Sequence, residues 1–178
     1  MEKFQNKYRI ASSRLPGYDY GSDGVYFVTI CTKNRECYFG NIVSTNLAFL
    51  NPTKIGQIAL EYWKEIPKHY PFVTLDEFVV MPNHIHGILI LNNPDHNKWS
   101  PNQFGVQSRN LGAIIRAFKS TTKRFANENN IEFEWQSRFH DSIIRDVNGL
   151  FAVRKYIKNN PMNWHKDEFL VESNVLEF

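Results

Sequence analysis

Residues 73–91 constrain the fold more tightly than any other stretch of the chain. Val73–Met81 (VTLDEFVVM) and His84–Leu91 (HIHGILIL) are rich in β-branched, aliphatic and aromatic residues, with Pro82-Asn83 between them. Such residues favour strands and Pro-Asn is turn chemistry, so the segment predicts an antiparallel strand pair. Side chains alternate along a strand, so His84 and His86 share one face while Ile85 takes the other. Two imidazoles on one side of a stiff strand could chelate a divalent cation. They could equally be hydrogen-bonded histidines on a sheet surface.

The rest of the chain supplies the context for that pair. Val25–Thr32 (VYFVTICT), bounded by Gly24, predicts another strand. Gly40-Asn41 sits between two half-apolar runs and suggests the turn of a short hairpin. Thr53–His69 predicts a helix, because Ile55, Ile58, Ala59, Tyr62, Trp63 and Ile66 recur at helical spacing, and Pro67 should end it. Residues 92–108 read as a long polar loop. Asn110–Glu128 predicts a second helix with Leu111, Ile114, Ile115, Phe118 and Phe125 inward. Phe139–Asp146 predicts a strand. Asn148–Asn160 predicts a third helix with Leu150, Val153 and Ile157 inward, and Pro161 should turn Asn160 out of the helical region. Strand, helix, strand, strand, helix, strand is the split βαβ order of ferredoxin-like folds. The expected class is therefore α+β: an antiparallel sheet with helices on one face, plus an added C-terminal helix, the other face being left for function. The expected organisation is an irregular arm over residues 1–24, one domain over 25–165 and a tail over 166–178.

Composition narrows the function classes. With 42% hydrophobic and 15% aromatic residues the chain can build a core and is unlike a disordered segment. A net charge of +3 permits a nucleic-acid partner without requiring one. On the second helix Arg116, Lys119, Ser120 and Lys123 recur on one side, joined by Arg124. That face could track phosphates, or it could be a solvated helix surface. Cys31 and Cys37 make no disulfide framework, and Cys31 should be a buried small hydrophobe. No apolar stretch reaches bilayer length and the N-terminus lacks the apolar core of a signal peptide, so a cytoplasmic protein with no membrane partner is expected.

Tyr156 and Asn160 lie four residues apart, hence on the same side of the third helix. A phenol followed by a carboxamide could supply a nucleophile and a third metal ligand. A packed tyrosine followed by an Asn cap would look the same.

Five segments then carry a resemblance. VVMPNHIHGILI resembles the HUH signature of single-tyrosine transposases, in which two histidines flank a hydrophobic residue. RLPGYDYGSDGVYFVTICTKNR, FKSTTKRFANENN, WQSRFHDSIIRD and YIKNNPMNW resemble further segments of these proteins, in the same order across about residues 14–164. The likeness is strongest to the REP-associated tyrosine transposases of bacteria. It implies that His84 and His86 are the catalytic histidines and Tyr156 the nucleophile. Related insertion-sequence transposases carry Gln four residues after the tyrosine; Asn160 stands there, as in the REP-associated group, as a third metal ligand on a shorter arm. The resemblance further implies Mg2+ or Mn2+, a 5′-phosphotyrosine intermediate with a free 3′-OH, and single-stranded DNA or a DNA hairpin as partner.

In that setting Arg14, Arg116, Lys119, Lys123, Arg124, Lys155 and Lys158 are expected to contact the DNA backbone. A free tyrosine has a pKa of about 10, so the metal, Lys155 or Lys158 could stabilise its phenolate. Unpaired bases could stack on Tyr18, Tyr20 or Trp99. His140 or Asp141, on opposite faces of their strand, could be a partner of the site; His69, His96 and His165 should be structural. A monomer, or a homodimer exchanging tyrosine helices about an Asn148-Gly149 hinge, both fit, acting in the bacterial cytoplasm at the nucleoid. Three rival readings stay open: a metal-dependent phosphodiesterase that activates water without Tyr156, a DNA-hairpin-binding protein without catalysis, and a structural or protein-interaction module in which the basic face and the histidine pair are coincidence.

Overall fold

The computed structural model describes residues 3–4, 7–8, 15–44, 46–94, 96, 109–167 and 169. In chain order the elements are strands β1 (Lys3–Phe4) and β2 (Lys7–Tyr8), β3 (Gly24–Cys31), β4 (Gly40–Ser44) and β5 (Ala48–Pro52); helices α1 (Lys54–Lys64) and α2 (Ile66–His69); strands β6 (Val73–Val80) and β7 (His84–Leu91); helix α3 (Leu111–Glu128); strand β8 (His140–Ile144); and helix α4 (Val147–Asn159). Four strands form one antiparallel sheet in the order β6-β7-β3-β8. That is the ferredoxin-like order, and the expected α+β class holds.

Alternation divides the sheet into two faces. Tyr26, Val28 and Ile30 of β3 and Ile85, Leu89 and Leu91 of β7 are buried in one core with Ala59 and Trp63 of α1 and Leu111, Ile114, Ile115 and Phe118 of α3. Gly87 is needed on this side, because a Cβ there would come within 2.3 Å of Trp63 Cζ2. Phe27, Thr29, His84, His86 and Ile88 take the opposite face, and α4 lies there. Helix starts are where the capping residues put them: Thr53 Oγ1 accepts from Gly56 N at 3.2 Å, Asn110 Oδ1 from Ala113 N at 2.8 Å and Asp146 Oδ1 from Gly149 N at 2.8 Å.

In β6, Leu75 pairs with Leu89 and Phe78 pairs with Gly87, so Asp76 and Glu77 both stand opposite Ile88. This is a β-bulge, one extra residue on one strand.

Several expectations change. The predicted helix over Thr53–His69 is two helices: α1 ends at Lys64, and Pro67 sits in the first turn of α2, where its missing N–H costs nothing. Gly40-Asn41 does not form the hairpin turn; it opens β4, with Gly40 opposite Pro52 and Asn41 opposite Asn51. Gly40 has φ +140 and a Cβ there would fall 2.1 Å from the Asn51 carbonyl oxygen, so close approach is what demands the glycine. Part of the N-terminal arm is paired rather than irregular, β1 with β2. Asn148 and Gly149 are no hinge loop: both lie in the first turn of α4, which Asp146 caps. Asn160 keeps helical angles (φ −58, ψ −45) despite Pro161, because the chain continues directly into a 3-10 turn over Pro161–Lys166. That helical geometry keeps Asn160 one turn beyond Tyr156.

Candidate active site

β7 supplies both histidines from the middle of the sheet, and both are buried, His84 at 0% and His86 at 1% exposure. Their tautomers follow from the neighbours. Asn83 Nδ2 donates to the carbonyl oxygens of Arg35 (3.0 Å) and Phe169 (2.7 Å), which can only accept. Its amide orientation is thereby fixed, and the atom 2.8 Å from His84 Nδ1 is Oδ1. A carbonyl oxygen only accepts, so His84 Nδ1 carries the proton and Nε2 is a bare lone pair. On His86, Nδ1 lies 2.9 Å from Thr29 Oγ1 and Nε2 lies 3.1 Å from Tyr156 Oη. With the phenol donating to Nε2, Nδ1–H is given to Thr29.

Both rings are neutral at pH 7. Burial pushes His84 well below the ordinary histidine range, with the adjacent His86 acting in the same direction. Burial alone pushes His86 down to about 3. Neutral imidazole is the metal-binding form.

α4 brings Tyr156 and Asn160 to the same spot. The Tyr156 ring stands 5.1 Å from the His86 ring and edge-on to Phe27 at 6.1 Å, and it remains 43% exposed. Asn160 is 4% exposed. Two buried atoms at this point have no hydrogen-bond partner: His84 Nε2 and Asn160 Oδ1. Buried polar atoms are rarely left so, and orphans commonly mark an absent ion or water. An imidazole nitrogen and an amide oxygen suit a divalent cation of intermediate hardness. No group of three or more His, Cys, Asp and Glu side chains offers a metal cage among the described residues, so a cation here would need the amide oxygen as a ligand.

The chain after α4 closes over the histidines. Asp167 Oδ1 accepts from Phe169 N at 2.8 Å, and Asp167 Oδ2 lies 3.9 Å from His84 Nε2. The Phe169 ring stands 4.8 Å from the His84 ring, with the Arg35 guanidinium 4.7 Å over its other side. Beside this an open depression of about 650 Å³ is lined by Lys33, Asn34, Arg35, Trp135 and Gln136 among others.

The basic residues are dispersed. α3 packs on the face opposite the histidines. Arg116 and Arg124 are exposed there, Arg124 beside Glu128 at 4.0 Å. Lys119 donates to the Gln136 carbonyl and is lowered to about 8 by burial; Lys123 donates to the Phe133 carbonyl at 2.7 Å and to Glu134 at 2.8 Å. Both tie α3 to residues 133–136. Lys155 is exposed on α4, and Lys158 pairs with Glu77 at 2.8 Å. Arg14 and Trp99 lie outside the described residues. Tyr20 is 8% exposed and offers no stacking face, while half-buried Tyr18 packs edge-on against it at 5.1 Å. Thr29 pairs with both His86 and His140, which puts exposed His140 on the site's face; Asp141 pairs with Val28 and takes the core side. His96 bonds Asp19 at 2.7 Å.

Asn83, Thr29, Asp167 and Phe169 were not legible as parts of the site. Asn83 reads as turn chemistry and Thr29 as one β-branched residue among several. Only register and the path of the tail reveal them.

The sequence matches no family model. It is 36% identical over 170 residues to an uncharacterized protein of Haemophilus influenzae, covering 90% of this chain and 93% of that one. It is 28% identical over 150 residues to a second H. influenzae protein, provisionally described as a REP-associated tyrosine transposase, covering 81% of this chain and 73% of that one. Among solved structures, a REP-associated tyrosine transposase bound to a REP hairpin superposes with a TM-score of 0.56 at 20% identity, over 92% of this chain and 74% of that one. That likeness carries the fold.

Proposed function

We propose, for a chain that belongs to one family with the 36%-identical H. influenzae protein and is related to the REP-associated tyrosine transposases, that it cleaves and rejoins single-stranded or hairpin DNA through a tyrosine-linked intermediate. The observation that supports this best is the meeting of the Tyr156 hydroxyl with His86 Nε2 at 3.1 Å, beside two buried lone-pair atoms without hydrogen-bond partners, His84 Nε2 and Asn160 Oδ1. Two elements far apart in sequence, β7 and α4, converge there.

The chemistry is a transesterification. Tyr156 Oη attacks the phosphorus in line. A tyrosine O–P bond forms as the bond to the 3′ oxygen breaks, and that oxygen leaves as a 3′-OH by taking up a proton. The phenol is half exposed, so its own proton can pass to water. Rejoining is the reverse, a 3′-OH attacking the 5′-phosphotyrosine, and the phosphodiester energy is kept throughout. Magnesium or manganese held by His84 Nε2, His86 Nε2 and Asn160 Oδ1 would supply positive charge at the phosphate oxygens. Thr29 and Asn83 hold the two rings so that their Nε2 atoms face the site, and Phe27 backs the Tyr156 ring. A hairpin with an unpaired foot is the substrate class, carried over from the relative that is bound to a REP hairpin. A flexible single strand can bring its phosphate into a site at the sheet surface, where a stiff duplex cannot.

The test is incubation of the protein with a tailed hairpin oligonucleotide and manganese, resolved on a denaturing gel. A protein–DNA adduct that mass spectrometry maps to Tyr156, and that Tyr156→Phe lacks, is the expected result. Cleavage that persists in Tyr156→Phe means a water-activating phosphodiesterase. Salt-sensitive hairpin binding with no cleavage means a binding protein. Either outcome overturns the proposal.

A further inference from the structure

Consecutive residues of a strand normally point to opposite faces, yet Asp76 and Glu77 both reach α4. The bulge is the reason: both residues stand opposite Ile88 on β7, so the strand shows two neighbouring carboxylates to one side. Asp76 takes the Arg154 fork with both oxygens, Oδ1 to Nε at 2.8 Å and Oδ2 to Nη2. Glu77 takes Lys158 at 2.8 Å. Arg154 and Lys158 are one helical turn apart, and Tyr156 lies between them.

We propose that these two ion pairs aim the nucleophile: Asp76, Glu77, Arg154 and Lys158 are positioning residues that set the rotation and axial placement of α4, and so hold the Tyr156 hydroxyl at the histidine pair. This rests on the reading of Tyr156 as the nucleophile. Three observations carry it. First, the apolar grip on α4 is small: Ile157 is buried and Leu150 and Val153 half-buried, while Val147 and Phe151 are 65% and 63% exposed. Second, the Asp76 grip is unlike an ordinary surface pair, which contributes little. Its side chain is 10% exposed, it binds the guanidinium in bidentate fashion, and its Oδ1 also accepts from Glu77 N at 2.7 Å. The carboxylate that satisfies the bulge's own N–H therefore cannot swing away from the helix. Third, contacts at positions 154 and 158 act as two points one turn apart. The Glu77–Lys158 pair is the more exposed, at 34% and 63%, and it adds a second point along the same side of α4.

The test uses full-length protein labelled with 3-fluorotyrosine, the Tyr156 resonance being assigned by its absence in Tyr156→Phe. Asp76→Asn keeps the size and the oxygen that serves Glu77 N, and removes the charge. Arg154→Lys keeps the charge and removes the fork. In Asp76→Asn the Tyr156 resonance should move toward that of free fluorotyrosine. The single-turnover rate of adduct formation on a tailed hairpin should fall roughly 10- to 100-fold, the loss that a misplacement of about an ångström produces. Hairpin Kd should be unchanged, Arg154→Lys should fall between parent and Asp76→Asn, and Lys68→Ala, which breaks the remote Lys68–Glu65 pair, should match the parent. A resonance that does not move and a rate that stays within about twofold of the parent in Asp76→Asn overturn the inference, as does a loss that hairpin affinity and melting temperature share equally. If the parent protein forms no adduct, the reading of Tyr156 fails, while the resonance comparison still decides whether the ion pairs hold its ring.

Discussion

The strand that carries His84 and His86 runs through the middle of the sheet, paired with β6 on one side and β3 on the other, and its residues are almost all buried. The helix that carries Tyr156 lies against that sheet with Ile157 as its buried side chain and apolar residues open to solvent. One site is thus assembled from a part that cannot move without unfolding the core and a part held by a few polar contacts. The histidine half, proposed to hold the metal, is fixed by the fold itself. The tyrosine half, proposed to carry the nucleophile, is held by local contacts that single substitutions can reach.

The sharpest way to break that contrast is to remove one group from each half. Tyr156→Phe and His84→Ala should both abolish the adduct. Tyr156→Phe should lower the melting temperature by only about 2–4 °C, because the phenol is 43% exposed and water can take over its hydrogen bond to His86 Nε2. His84→Ala should cost about 1–3 kcal/mol in a denaturant titration, because it strands the buried Asn83 Oδ1. Equal destabilisation by the two would mean that the halves are held alike.

A second substitution probes the rigid half from its core side. Gly87→Ala should cost roughly 1–3 kcal/mol, since the new Cβ falls 2.3 Å from Trp63 Cζ2 and β7 or the indole must give way. Adduct formation should fall with it, because β7 carries His86 one residue away. A neutral Gly87→Ala would show that β7 is more yielding than its burial implies.

Acid separates the halves differently. The Arg154 hydrogen bond holds the Asp76 carboxyl below the usual carboxylate range. A depressed folded-state pKa stabilises fully above the unfolded value of about 3.9 and loses that effect as pH falls through the folded value. The Tyr156 resonance should therefore stay in place from about pH 8 to pH 5 and shift below about pH 4, where His86, pushed down to about 3, adds a shift of its own that Asp76→Asn keeps while losing the part due to Asp76. Movement between pH 8 and pH 5 would show that another group holds the helix. Last and smallest, Val147→Ser on the exposed side of α4 should change stability by no more than about 0.5 kcal/mol and leave the adduct rate alone, which a chevron and a gel can check.

The two halves also differed in how far the sequence revealed them. His84–Leu91 is a strand over the residues its pattern predicts, because alternation and β-branching are local properties, and Val73–Val80 misses its predicted end by one residue. The same rule put His84 and His86 on one face. α4 is one residue out of the predicted register at each end. What spacing left undecided was whether Tyr156 and Asn160 serve packing or a site, since that depends on which face of the sheet α4 covers. The bulge escaped for a different reason: a strict period of two sends Asp76 and Glu77 apart, and nothing in VTLDEFVVM announces an extra residue. Asn83 escaped because its turn role and its grip on His84 use the same amino acid at the same place.

That extra residue in β6 has a consequence for how such a protein can change. The direction in which the phenol points is written 78 positions before Arg154, in the tally of residues along an outer strand. Removing one residue there would leave every reactive group present in the chain and send one of the two acids to the wrong side. The chemistry and its alignment are thus inherited separately, and a lineage could lose the second while keeping the first.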